Sequence, residues 1–174
     1  SASLTALAEA VLEAAIHTVD PRVPFAVIGM GRFGGAELSY ASDLDVLFVF
    51  DGEAPGDVAV AEQAAEALMR FVKGDTPAER IFAVDADLRP EGRDGPLARS
   101  LEGYRSYHRR WALTWERQAL LRARYVAGDP ELGQRFMALV DEVLWGSPVS
   151  DEQVREIRRM KARVERERIP PGDD

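Results

Sequence analysis

Asp43 and Asp45 stand two residues apart at the head of Leu44–Phe50, the most apolar extended run in the chain. In a strand, alternate side chains share a face. Both carboxylates therefore lie on one side, and Leu44 and Val46 on the other. Adjacent carboxylates raise each other's pKa, and a divalent cation between them relieves that repulsion. Their hard oxygens suit Mg2+, which takes one or two carboxylates together with waters and substrate phosphates. A third acid, Asp85, follows directly on the apolar run Arg80–Val84. Three carboxylates from two adjacent strands can hold two metal ions about 3.5–4 Å apart. Asp87 shares a face with Asp85 and is the second candidate for the third acid; its position right after the apolar run favours Asp85.

Just upstream, Gly29-Met30-Gly31-Arg32-Phe33-Gly34 spells G-x-G-x-x-G after a short apolar run, with Asp51 closing the next run. A dinucleotide-binding unit has this literal pattern. It also needs a full helix between the two strands, and the interval from Gly34 to Leu44 is too short and too rich in Gly and Ser to supply one. The glycines instead suit a tight turn whose amides face a ligand's phosphates. A glycine turn, then D-x-D opening an apolar strand, then an acid ending a later strand, resembles the nucleotidyltransferase site of the DNA polymerase β type.

Composition bounds the alternatives. The 174 residues suffice for one domain with a helical appendage, and are 46% hydrophobic and 30% charged. The net charge of −8 argues against a bulk nucleic-acid binder. It is unevenly spread: 7 basic against 17 acidic residues precede Arg99, and 15 against 13 follow from it. With no cysteine, disulfides, thiolate zinc sites and cysteine nucleophiles are excluded. No apolar run approaches the roughly 18 residues of a membrane span, and, with no cysteine, a cytoplasmic protein without a membrane partner is expected. The start without Met and the polar end lead to the expectation of a piece of a larger protein.

The elements that must position these residues follow from periodicity. A helix is predicted over residues 3–19, a buried strand over Phe25–Ile28, a short helix over Ala36–Tyr40 and a strand over Leu44–Phe50. An amphipathic helix is predicted over Val58–Lys73, stopped by Gly74, then a strand over Arg80–Val84 and a Gly/Pro loop. One or two helices are predicted within Leu101–Tyr125. Asp129-Pro130 opens another helix, and Ser150 with Gln153 forms a capping box for a last one. The fold class is α+β: a small mixed sheet with helices in residues 1–100, then a helical segment over 101–174. His17 and His108 lack partners at metal spacing. Trp111, Trp115, Tyr104 and Tyr107 read as packing residues.

Three longer stretches carry a family resemblance. "GMGRFGGAELSYASDLDVLFVF", "VDADLRPEGRDGPLARS" and "TWERQALLRARYVAGDPELGQRF" resemble, in order and spacing, the signatures of glutamine synthetase adenylyltransferases. Such proteins carry two related halves. One attaches AMP from ATP to a tyrosine of glutamine synthetase, and the other removes it by phosphorolysis. The C-terminal stretch resembles the attaching half more closely. The resemblance implies a polymerase β-like core, ATP as substrate, two Mg2+ ions held by Asp43, Asp45 and Asp85, and Gly31, Arg32, Gly34, Gly35 and Ser42 around the phosphates. Arg89 would sit near the triphosphate. Glutamine synthetase and a nitrogen-signalling regulatory protein would be partners. Glu37, Glu116 and Arg124 match the signature, and each suits an internal ion pair as well as a ligand contact. Asp87 departs from the Arg of many members. The competing classes are a nucleotidyltransferase for a small molecule or tRNA and a nucleotide-sensing module; the intact acids disfavour the sensor.

Overall fold

The structure is a computed structural model describing residues 2–40, 42–74, 76, 81–111, 113–146 and 150–168, the last five by backbone alone. Its centre is β2 (Leu44–Phe50), buried along nearly its whole length. On one edge β2 pairs antiparallel with β1 (Phe25–Gly29), in register from Phe25↔Phe50 to Gly29↔Val46. On the other edge two short strands run parallel to it in succession. β3 (Val84–Asp85) pairs with Leu44 and Asp45, and β4 (Ala98–Ser100) pairs with Phe48–Phe50. The free edge of β1 takes β5 (Arg124–Gly128), antiparallel, with a register shift between Val27 and Ile28. The result is a five-stranded mixed sheet.

Alternation along β1 and β2 gives the sheet two apolar faces, which is why neither strand reads as half-polar. One face carries Phe25, Val27, Leu44, Val46, Phe48 and Phe50. It is covered by α1 (Ala2–Val19), through Ala8, Leu12 and Ala15, and by α3 (Asp57–Lys73), through Ala61, Leu68 and Val72. The other face carries Ala26, Ile28, Leu47 and Val49. It is covered by α4 (Leu101–Arg110), α5 (Thr114–Leu120) and α6 (Pro130–Trp145), through Tyr104, Leu120, Leu132 and Phe136. A last helix, α7 (Asp151–Arg168), rests on α5.

The helix starts follow the capping rules. Ser100 accepts the Gly103 amide at 3.0 Å and Asp129 the Leu132 amide at 2.9 Å. Ser150 and Gln153 close a reciprocal capping box. Gly74, at φ +69, ends α3.

Several expectations are corrected. The short helix α2 is Gly31–Gly34 rather than Ala36–Tyr40. Ala36, at φ +57, breaks the helical path, and the Glu37 amide closes back on the Arg32 carbonyl at 2.8 Å. Only Val84–Asp85 of the third run forms a ladder; Arg80 lies outside the described residues. Leu101–Tyr125 was expected to hold one or two helices and no strand. It contains α4 and α5, but its last two residues open β5, so a strand from beyond residue 100 completes the sheet. Trp111 does not pack: it is 69% exposed. α1, with 18 residues and mean hydropathy 1.3, does reach the length and apolarity of a membrane span. One face of it, Thr5, Ala8, Leu12 and Ala15, is buried, and the helix packs on α3 and β5.

Candidate functional site

Register places the acids. Asp45 is paired with Asp85 across the parallel β2–β3 ladder, so the two side chains share a face on strands roughly 4.8 Å apart. Asp43 precedes Asp45 by one pleat repeat, on the exposed approach to β2. The half-buried Asp45 carboxyl is pushed above the usual range. Burial is the main cause, the charges of Asp85 and Asp43 add to it, and Arg32 opposes it. No salt bridge from a described basic residue neutralises Asp43, Asp45 or Asp85.

The glycine turn sits directly against these acids. The Met30 amide donates to the Asp45 carbonyl at 2.8 Å, tying the start of α2 to β2. Gly31 has φ +52, and a Cβ there would overlap Asp45 Oδ2, with Asp45 Cγ only 3.3 Å away. Glycine is therefore required twice, for the left-handed backbone and for the approach of the carboxylate. A Cβ on Gly34 would fall on the Arg122 carbonyl oxygen, and one on Gly35 would lie 3.0 Å from Arg122 Nη1. The G-x-G-x-x-G spacing thus serves packing against Asp45 and Arg122. Arg32 projects exposed from α2, and the first amides of a helix have no intrahelical acceptor.

The other residues singled out by sequence have definite neighbours. Ser42 is engaged within its own loop: its Oγ accepts the Ser39 amide at 3.2 Å and lies 2.8 Å from Ser39 Oγ. Asp85 Oδ1 accepts the Asp87 amide at 2.7 Å, while the Asp87 carboxylate takes Arg93 Nε at 2.6 Å. Asp87 thus faces Arg93, and only its backbone touches Asp85. Arg89 is almost enclosed and donates to the carbonyls of Ala86 (2.9 Å), Gly95 (3.2 Å) and Arg93 (3.3 Å). It is the hub of the 86–95 loop. Glu37 pairs with Arg122 at 2.6 Å. Glu116, only 3% exposed, accepts the Tyr107 hydroxyl and the Leu113 amide, both at 2.8 Å. That network, with burial as the larger cause, pushes the Tyr107 phenol up to about 12.

Sequence reasoning missed Arg122 as the partner of both the turn and Glu37. The signal was its place two residues before Arg124 in a stretch read as helix. A cleft of about 350 Å³ beside Ser42 and Asp43 is lined by Leu4, Leu7, Tyr40 and Ile81. Another cavity, of about 820 Å³, lies away from the site, at the opposite, Phe25 end of β1.

Among the described residues no three acids or histidines close into a preformed metal-ligand cluster. The donor chemistry nonetheless fits a hard divalent cation: Asp45 and Asp85 stand side by side, and Asp45 is raised first by burial and then by the charges of Asp85 and Asp43. Acids aligned beside a glycine turn, on a small mixed sheet with helices on both faces, define the structural class of this site.

The comparisons narrow that class. A family model for glutamate-ammonia ligase adenylyltransferase matches residues 1–139, and the chain belongs to that family. It is 53% identical over 154 residues to a bifunctional glutamine synthetase adenylyltransferase/adenylyl-removing enzyme of Streptomyces avermitilis, covering 86% of this chain and 15% of that protein. The proteins of the same name from Mycobacterium tuberculosis and Cutibacterium acnes are 48% and 47% identical, each over 99% of this chain. The chain spans only about 15–19% of the length of these relatives.

Proposed function

We propose that this chain carries a polymerase β-like nucleotidyltransferase site that moves AMP from ATP to a tyrosine hydroxyl of glutamine synthetase. The observation behind it is the in-register pair Asp45 and Asp85 lying against the Gly31 turn. The catalytic core is the sheet with α1 and α3, and residues 101–174 add β5 and the helices of the second face.

Asp43, Asp45 and Asp85 would hold one or two Mg2+ ions. Bound there, magnesium would supply positive charge that offsets the charge developing on the phosphate oxygens. Gly31, Gly34 and Gly35 keep the turn close enough for its amides, with Arg32, to face the leaving pyrophosphate. The tyrosine oxygen attacks the α-phosphorus in line, the bond to the β-phosphate bridging oxygen breaks, and pyrophosphate leaves. Asp85 takes the phenolic proton. Most of the rate would come from positioning and charge stabilisation. Arg89 supports this site through its loop, and Ser42 through the 39–42 turn. Such a reaction belongs in the cytoplasm, with a nitrogen-signalling protein acting on the longer enzyme.

The test is the intact mass of glutamine synthetase after incubation with this chain, ATP and Mg2+, beside Asp45→Asn. The expected result is a gain of one AMP per modified subunit, lost with Asp45→Asn. Phosphate-dependent removal of AMP from pre-modified glutamine synthetase, without attachment, would instead identify the removing activity.

A further inference from the structure

Arg124 is prominent in the sequence yet lies outside the acid cluster, and the structure gives its guanidinium a specific task. Standing at the start of β5, it donates through Nε to the Gly34 carbonyl at 3.0 Å and through Nη2 to the Phe33 carbonyl at 3.3 Å. Its Nη1 meets Glu9 of α1 at 2.6 Å. Phe33 and Gly34 are the last residues of α2; the Phe33 carbonyl also accepts the Ala36 amide at 3.1 Å, and Arg124 adds a side-chain donor to each of the two carbonyls. The planar fork of arginine matches two neighbouring carbonyls, whereas a lysine ammonium is a point charge on a flexible stem.

The helix of this turn is too short to fix itself. Four residues are far below the length at which a helix holds itself, and Gly31 and Gly34 add backbone freedom. Its other supports are the Met30 amide on Asp45, the Ala36 and Glu37 amides on the Phe33 and Arg32 carbonyls, the buried Phe33 ring, and Arg122, whose carbonyl abuts Gly34 and whose side chain holds Glu37. Arg124 closes this arrangement from the carbonyl end of α2. Glu9 in turn fixes Arg124 from a helix on another part of the chain.

We infer that Arg124, set by Glu9, is a positioning residue that clamps the Gly31–Gly34 turn in the geometry that receives phosphates. This deepens the nucleotidyltransferase reading and rests on it. α1 thereby becomes part of the phosphate site without touching the ligand.

The experiment uses the 174-residue chain with Arg124→Lys and Glu9→Gln, measuring three quantities: MgATP affinity by calorimetry, the thermal midpoint, and amide hydrogen exchange at Gly34, Gly35 and Glu37. For Arg124→Lys we expect MgATP affinity to fall about tenfold. Exchange should speed up at those amides while those of β1 and β2 stay protected, and the thermal midpoint should move by only a few degrees. Glu9→Gln should shift affinity and exchange in the same direction by less. Unchanged affinity and exchange in a folded Arg124→Lys, or a uniform loss of protection with a falling midpoint, would overturn the clamp. If the unsubstituted chain binds no MgATP while Arg124→Lys still loosens the turn, the nucleotide reading fails and the mechanical clamp stands.

Discussion

Replacing Gly31 with alanine separates two demands made on one residue. The first is backbone: at φ +52 an L-residue is strained by roughly 1–2 kcal/mol. In a chain of this size each kcal/mol lowers the thermal midpoint by about 2–4 °C, so a fall of about 2–8 °C is expected. The second is contact. The new Cβ would overlap Asp45 Oδ2, and ordinary van der Waals separation requires the carboxylate to retreat by about 1 Å. A misplacement of about 1 Å at a reacting centre costs on the order of 100-fold in rate. The variant should therefore stay folded while AMP transfer falls about 100-fold. Thermal denaturation and the intact-mass assay check this on the same preparation. A midpoint lowered as expected, with transfer reduced by only a few fold, would refute the argument that Asp45 must stay where Gly31 lets it sit.

Two further predictions follow from the same geometry. Burial and neighbouring acids raise Asp45, so its ionised form costs folding stability above its folded pKa, and the cost fades as pH falls toward the ordinary carboxylate value of 3.8. Asp45→Asn should melt higher than the unsubstituted chain at pH 7 and converge with it near pH 4; parallel melting curves across that range would contradict it. Glu116→Ala removes the acceptor of two donors, the Tyr107 hydroxyl and the Leu113 amide, so urea denaturation should show a loss of about 2–4 kcal/mol. A loss below about 1 kcal/mol would mean that water replaces the carboxylate.

What sequence could show here was set by how local each signal is. The bounds of β2 were readable because Leu44–Phe50 is apolar on both faces, and the caps at Asp129 and Ser150 because capping is decided within four residues. β5 escaped because Arg124–Gly128 is a strand by virtue of its ladder to β1, a partner about a hundred residues earlier, and the short run carries no alternation of its own. The alignment of Asp45 with Asp85 was anticipated as two neighbouring strands, although β3 proved to be only two residues long. The occupations of Arg89, Arg122 and Glu116 depend on tertiary contacts. Motif spacing marked Arg89 and Glu116 as present without saying what they hold.

The edge of β2 holds one loop at both of its ends. β3 and β4 lie on that edge one after the other, both parallel to β2, so residues 86–97 leave and return to the same strand. An excursion moored at both ends to one strand has its exit and its return set by the same neighbour: Asp85 leaves from beside Asp45, and Ser100 returns beside Phe50 to cap α4. Arg89, gathering the carbonyls of Ala86, Arg93 and Gly95, gives the excursion its own internal frame. The stretch of chain beside the acids is therefore held twice over, at its ends by β2 and at its middle by a single guanidinium.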